Sequence, residues 1–295
     1  MNMSKLVCYH KDCVDGFGSA FAAWLKLGDE GVEYKPLSYA DFDPVNIVNL
    51  VSGREVYLLD LSPPREIVDM VIRHASKMVW LDHHKPSLDS WIGGGSGILD
   101  IGKNFEIILD SSKSGALLSG EYFNKEERTP VLFRDIDDYD RWVKCRLTSE
   151  PIYAGLMADR PWNFKKWRKY LEGSFYYELM SDGDAILRAH YPMVEAALVN
   201  AESCVVGGFE GLACNCSDTL TNDVGAALAE KSGTYGLCWY RKNDGSIKAS
   251  FRSKPGFDVN ELAKRYKGGG HTTAAGAYMS VLDLLEVLNG QSQSS

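Results

Sequence analysis

Lys77-Met-Val-Trp-Leu-Asp-His-His84 is the stretch from which the rest of the chain can be read. Met78 to Leu81 form a short continuous apolar run, the pattern of a strand buried on both faces of a parallel sheet. It ends on one aspartate and two histidines. Two earlier runs have the same form. Lys5-Leu-Val-Cys-Tyr9 leads into His10-Lys-Asp12-Cys-Val-Asp15-Gly16, and Glu55-Val-Tyr-Leu-Leu59 leads into Asp60-Leu-Ser-Pro. Segments with helical spacing lie between and beyond them, at Gly18 to Leu27, Arg65 to Ala75 and Ser114 to Phe123. Strands alternating with helices predict an α/β fold whose parallel sheet is wound by crossovers. Ligands of such sheets gather at the carboxyl ends of the strands.

Beyond Trp142 the rhythm changes. Trp162, Phe164, Trp167, Tyr170, Phe175, Tyr176 and Tyr177 form a dense aromatic group among helix formers, which reads as core packing. Asp184 to Asn200 reads as a connecting helix interrupted by Pro192. A second alternating region follows, with strands at Val205-Val206, Gly236 to Tyr240 and Lys248 to Arg252, and helices at Asp223 to Lys231 and Asp258 to Tyr266. A glycine cluster, a short strand and a last helix to about Leu288 complete it. The expected layout is an N-terminal parallel-sheet domain with flanking helices over residues 1–185, a helical linker over 186–202, and a smaller C-terminal α/β domain over 203–290.

The chain has 295 residues, with 45% hydrophobic and 24% charged, a globular composition. No stretch approaches the ~20 apolar residues that cross a bilayer. Met1 to Cys8 lacks a basic segment leading into an apolar one, so no export signal and a cytoplasmic location are expected. The net charge of −8 argues against nonspecific coating of duplex DNA, which needs a broad basic face. The seven cysteines are scattered and contain no CxxC pair, so they read as reduced and structural.

If the three strands are parallel neighbours, their ends bring His10, Asp12, Asp15, Asp60, Asp82 and His83 to one edge. A fourth acidic cluster, Asp135-Ile-Asp137-Asp138-Tyr-Asp140, comes later. Carboxylates packed that closely repel one another. A pair of divalent cations relieves the repulsion, and mixed carboxylate and imidazole donors suit manganese.

Asp82-His83-His84 after an apolar strand, His10-x-Asp12 with Asp15-Gly16 after the first, and Asp60 after the second together resemble the DHH phosphoesterase superfamily. Ser250-Phe-Arg252-Ser253 and Gly268-Gly269-Gly270-His271 followed by Ala274-Ala275-Gly276 resemble its DHH-associated C-terminal domain. The two sets lie in the expected order and span almost the whole chain. The resemblance implies the subgroup of nano-RNases, single-strand exonucleases and cyclic-dinucleotide phosphodiesterases. Carried onto this chain, it implies two Mn2+ sites, one of His10, Asp12 and a bridging Asp60, the other of Asp15, Asp60, His83 and Asp138, with Asp137 and Asp140 as alternatives to Asp138. Asp82 would orient a histidine, and His84 would stand near the scissile phosphate. Here His10-Lys-Asp12-Cys-Val-Asp15-Gly16 has one more residue between its aspartates than the commoner His-x-Asp-x-Asp-Gly.

The C-terminal segment supplies what an acidic chain otherwise lacks. Gly268, Gly269 and Gly270 let backbone N–H groups approach a phosphate, while His271 and Arg252 offer donors to it. Lys254, Lys264, Arg265 and Lys267 add a local basic patch. Ser111-Ser-Lys-Ser-Gly115 before a helix is either a phosphate contact or a helix cap. The reading is therefore a metal-dependent phosphodiesterase that cuts short single-stranded oligonucleotides to mononucleotides, with a cleft between the domains measuring length. Its rivals are hydrolysis of linear or cyclic dinucleotides or of a bisphosphorylated nucleotide, and an inactive nucleotide-binding sensor. Oligomeric state is left open, a homodimer included.

Overall fold

The computed structural model describes residues 4–100, 102, 104–125, 128–270 and 272–290. In chain order the first part runs β1 (Lys5–His10), α1 (Val14–Leu27), β2 (Val32–Leu37), α2 (Pro44–Val51), β3 (Glu55–Leu59), α3 (Arg65–His74), β4 (Lys77–Asp82), α4 (Lys85–Ile92), β5 (Ser96–Asp100), β6 (Phe105–Asp110), α5 (Gly115–Phe123), α6 (Val131–Asp140), α7 (Ser149–Ala158), α8 (Phe164–Lys169) and α9 (Gly173–Leu198). The second part runs β7 (Glu202–Val206), β8 (Phe209–Asn215), α10 (Thr221–Ser232), β9 (Tyr235–Arg241), β10 (Ile247–Ser253), α11 (Val259–Lys264), β11 (Gly269–Gly270), β12 (Ala274–Met279) and α12 (Val281–Leu288). The chain divides into two compact units after Leu187, inside α9.

The N-terminal unit is built on a six-stranded sheet of order β2-β1-β3-β4-β6-β5. All its neighbours pair parallel except β5 with β6. Alternate residues of the apolar runs enter opposite cores. Val7, Tyr57, Leu59, Val79 and Leu81 pack with α1, α5 and α6, whereas Leu6, Cys8, Val56, Leu58, Met78 and Trp80 pack with α2, α3 and α4. Burial on both faces is why these strands show no polar alternation. The chain leaves β1 to one side for β2 and returns on the other side for β3, so β1 and β3 flank the topological switch point, where open α/β sheets bind ligands.

The C-terminal unit has a mixed sheet of order β11-β12-β10-β9-β8-β7. Only β8 and β9 pair parallel. Phe251, Leu237 and Tyr235 face α11 and α12, while Cys214, Cys238 and Leu228 pack on the other face with Val194 of α9. Pro192 does not interrupt α9, which runs through it. A mid-helix proline costs about 3 kcal/mol, and the apolar residues packed on either side, Leu179 in the first unit and Val194 in the second, hold the helix in spite of it. Of the aromatic group, Trp167 is fully buried and Trp162, Phe164, Tyr170 and Tyr176 pack against the same core. Tyr177 is exposed.

Candidate metal centre

β1, β3 and β4 are adjacent and parallel, so their carboxyl ends share one edge. His10 is the last residue of β1, Asp60 follows β3, and Asp82 ends β4 with His83 and His84 directly after it. The Asp60 N–H donates to Leu81 O at 2.9 Å, which ties the end of β3 to β4. Asp60 has φ +55°. That left-handed conformation costs an L-residue about 1–2 kcal/mol, and its effect is to turn the carboxylate into the edge.

Three sets of donor atoms form there, each lying within 4.8 Å of one another: His10, Cys13 and Asp60; Asp60, His83 and His84; Asp15, His83 and Asp140. Asp60 joins the first two sets and His83 the last two. His83 Nε2 stands 3.2 Å from Asp60 Oδ1, 3.5 Å from Asp15 Oδ2 and 3.7 Å from Asp140 Oδ2. His10 Nδ1 is 3.7 Å from Asp60 Oδ2. Asp60 is 1% exposed, yet its Oδ1 takes no hydrogen bond. Two donors held by one ion at ~2.1 Å stand roughly 3–4 Å apart, so these spacings, and a buried carboxylate oxygen that takes no hydrogen bond, fit a divalent cation.

Neighbouring groups fix the donors in place. His84 Nδ1 and Asp82 Oδ1 are 2.7 Å apart, an orienting hydrogen bond. The N–H groups of Gly115 and Ala116 donate to the two oxygens of Asp15 at 2.7 and 2.8 Å, so this carboxylate sits on the N-terminus of α5. Two glycines are required by close approach. A Cβ on Gly115 would lie 2.5 Å from Cβ of Asp60, and one on Gly16 would lie 2.2 Å from His10 O. Ser114 caps α5, accepting from the N–H of Leu117.

Burial opposes charge on Asp60, but His10, His83 and His84 outweigh it and hold that carboxyl well below the usual range. Burial also opposes charge on His83, and there too the surrounding carboxylates, led by Asp60, prevail and raise it. Asp15 is pushed well up, by burial first and then by the charges of Asp60 and Asp140. Asp140 is raised, chiefly by burial. Burial lowers His84, and the charge and hydrogen bond of Asp82 more than restore it. The cluster therefore carries more acidic groups than its histidines neutralise, and bound cations would take the place of protons on Asp15 and Asp140.

The structure brings His10, Asp15, Asp60, Asp82, His83 and His84 together and departs from the sequence reading at two residues. Asp138 does not face the cluster. Its carboxylate accepts from the N–H of Cys145 and of Arg146, each at 3.1 Å, from Cys145 Sγ at 2.9 Å and from Ser149 Oγ at 2.6 Å. Two residues on a helix are about 200° apart, so Asp140 points where Asp138 cannot. Asp137 accepts from Ser114 N and pairs with Arg141. Asp12 is exposed with φ +57°, its carbonyl accepting from Arg160, and it belongs to none of the three sets. Cys13 is in its place. The signal for Cys13 was in the sequence, because counting back two residues from Asp15-Gly16 lands on it.

In the C-terminal unit, Arg252 on β10 donates through Nε and Nη2 to Asn222 Oδ1 at 3.2 and 2.6 Å, and through Nη1 to Phe251 O at 2.8 Å. Gly225 leaves room for it, since a Cβ there would meet Arg252 Cγ at 2.7 Å. A Cβ on Gly268 would meet Gly276 O at 2.2 Å, and the Gly270 N–H donates to Asn260 Oδ1 at 3.0 Å. Gly269 is exposed. His271 lies outside the described residues. Two lysines of the expected basic patch are paired, Lys254 with Glu230 and Lys264 with Glu261.

A doubly wound sheet with an aspartate–histidine edge at its switch point is thus followed by a separate mixed-sheet unit. Residues 217–290 match the DHHA1 domain. The family shown is therefore that of the C-terminal part, a DHHA1 domain. An uncharacterized protein, R106, of Acanthamoeba polyphaga mimivirus is 26% identical over 299 residues, covering 93% of this chain and 67% of that protein. Among solved structures, RecJ from Thermus thermophilus in complex with Mn2+ superposes with TM-score 0.52 at 14% identity, over 94% of this chain and 49% of RecJ. PggH from Vibrio cholerae, a pGpG-specific phosphodiesterase, superposes with TM-score 0.54 at 12% identity over 96% and 95% of the two chains. At such identities the likeness is one of fold. Among the described residues, no helix is long and apolar enough to cross a membrane.

Proposed function

We propose that this chain is a metal-dependent phosphodiesterase that hydrolyses short single-stranded oligonucleotides to mononucleotides. The observation that carries the reading is the cluster at the ends of β1, β3 and β4, where Asp60 and His83 each serve two donor sets. His10 and Asp60 would hold one divalent cation, and Asp15, Asp60, His83 and Asp140 the second, with Mn2+ the favoured ion for carboxylate and imidazole donors. Such a pair supplies Lewis-acid stabilisation of the phosphoryl oxygens and an activated water. Asp60, shared between two donor sets, would be the residue common to both cations. Asp82 holds His84 through Nδ1 and favours its protonated form, so the ring can offer a proton to the phosphate or to the departing oxygen. Arg252 and the Gly268–Gly270 segment would bind the anionic end of the substrate.

A second reading, hydrolysis of a linear dinucleotide, is favoured by the correspondence with PggH over nearly the full length of both chains. One time course separates the two. Purified protein with Mn2+ is offered labelled RNA and DNA of several lengths, linear pGpG, a cyclic dinucleotide and pyrophosphate. Rapid loss of short oligomers with slow loss of long ones supports the first reading, and turnover confined to pGpG supports the second. Binding of nucleotides without turnover would leave a sensor, and phosphate release from pyrophosphate alone would overturn both.

A further inference from the structure

We infer that the Cys13 thiolate is a metal ligand, which makes the His10–Cys13–Asp60 position a mixed nitrogen, sulfur and oxygen site selective for a borderline-soft cation of the zinc or cobalt class. The inference rests on the metal-centre reading above and deepens it. Cys13 lies between β1 and the first turn of α1, and its Sγ is within 4.8 Å of donor atoms of both His10 and Asp60. Asp12, the carboxylate that the sequence offers for this position, is turned outward in a left-handed conformation. The extra residue between Asp12 and Asp15 explains the exchange. α1 starts at Val14 and fixes Asp15 in its first turn, so the residue two before Asp15 is the one presented to His10, and that residue is Cys13. Buried Asp60 leaves its Oδ1 without a hydrogen bond, with His83 as a close charged neighbour, which also fits an edge shaped for a cation.

The chemistry separates the two positions. Asp15, His83 and Asp140 give oxygen and nitrogen donors, which suit a hard ion such as Mn2+. Replacing a carboxylate by a thiolate at the other position shifts preference toward softer ions. On binding, the thiol proton passes to solvent, a metal–sulfur bond forms, and no change of oxidation state is involved.

The test is spectroscopic and does not depend on turnover. Zinc- and cobalt-loaded full-length protein would be examined by X-ray absorption and by near-ultraviolet absorption. The expected result is a sulfur neighbour at about 2.3 Å from zinc, averaging about half a sulfur per zinc when both positions are filled, and a thiolate-to-cobalt charge-transfer band that Cys145→Ser retains and Cys13→Ser abolishes. Cys13→Asp should keep two metals bound while its preference for Zn2+ over Mn2+ falls by about tenfold or more. If Cys13→Ser does not fold, the wild-type sulfur shell and Cys13→Asp still decide. Metal-loaded wild type without a sulfur neighbour, or a band that survives in Cys13→Ser, overturns the inference. A sulfur-free protein that still cleaves nucleotides sinks this inference alone; a sulfur-ligated protein inert toward every nucleotide sinks the proposed function alone.

Discussion

Asp138 and Asp140 sit two residues apart on α6 and have opposite duties, which makes them the sharpest pair to exchange. Asp140→Asn removes an oxygen donor from the set with Asp15 and His83. It should lower the metal content found by metal analysis after dialysis, while the metal-free protein at neutral pH melts no lower than wild type, since a buried carboxyl that resists ionisation has been removed. Asp138→Asn keeps both metals and loses charged hydrogen bonds to Cys145, Arg146 and Ser149. It should destabilise by about 2–3 kcal/mol, as loss of buried charge-assisted bonds does. The reverse pattern would restore Asp138 to the metal centre. Asp82→Asn leaves every donor of the three sets in place and weakens only the hold on His84. A drop of roughly 10–100-fold in turnover is expected with both metals retained; undiminished turnover would show that the Asp82 charge is not needed. At this scale the sequence told residue types but not directions. Asp60, His83 and His84 could be placed because each directly follows a strand. Asp138 could not, since one residue between two acids puts them on opposite sides of a helix, and whether Asp12 or Cys13 stands beside His10 depends on where α1 begins.

Elements decided more than single residues did. β3 coincides with the apolar run that announces it, and β1 and β4 overrun theirs by a single residue, His10 and Asp82. Continuous burial leaves such strands no other reading. The edge strand β2, Val-Glu-Tyr-Lys-Pro-Leu, was not legible. It mixes polar and apolar residues and contains Pro36, which only an edge tolerates. α1 begins four residues earlier than its apolar spacing suggests, because in its first turn Val14 and Phe17 enter the core on either side of Asp15 and Gly16, a polar and a small residue that break the apolar pattern. The junction between α5 and the end of β3 is the tightest part of the centre. Gly115→Ala would press a methyl group into Asp60, displacing either that carboxylate or the start of α5, whose N–H groups hold Asp15. Overpacking of this kind costs about 1–3 kcal/mol. Weaker metal binding should accompany the lowered melting temperature, whereas Gly173→Ala, which meets nothing within 4 Å, should alter neither. A Gly115→Ala protein with wild-type metal affinity would show that the helix can retreat without moving Asp60.

For the molecule as a whole, an excess of buried acid makes pH and metal a single variable. In the metal-free protein the carboxyls of Asp15 and Asp140 are raised, by burial first and by their neighbours second. A carboxyl whose folded value lies above its unfolded one contributes stability below the unfolded value, and that contribution is lost as pH rises through the folded value. Asp60 acts in the opposite sense, its depressed value adding stability above the ordinary carboxylate range that disappears only on acidification. Metal-free protein should therefore lose the Asp15 and Asp140 contribution as pH is raised from the ordinary carboxylate value of about 4 upward. Cations bind the deprotonated donors, so protons compete with them at low pH and yield at high pH. A cation at a hundred times its dissociation constant stabilises by about 2.7 kcal/mol, and that gain should shrink as protons reclaim the donors. Melting temperatures with and without Mn2+, taken at intervals from pH 5 to about pH 8, should diverge steadily as pH rises. In Asp140→Asn, which has one raised carboxyl fewer, the divergence should be smaller. A constant gap, or one that narrows with rising pH, would mean that the cations do not displace protons from Asp15 and Asp140, and the metal centre would have to be drawn without them.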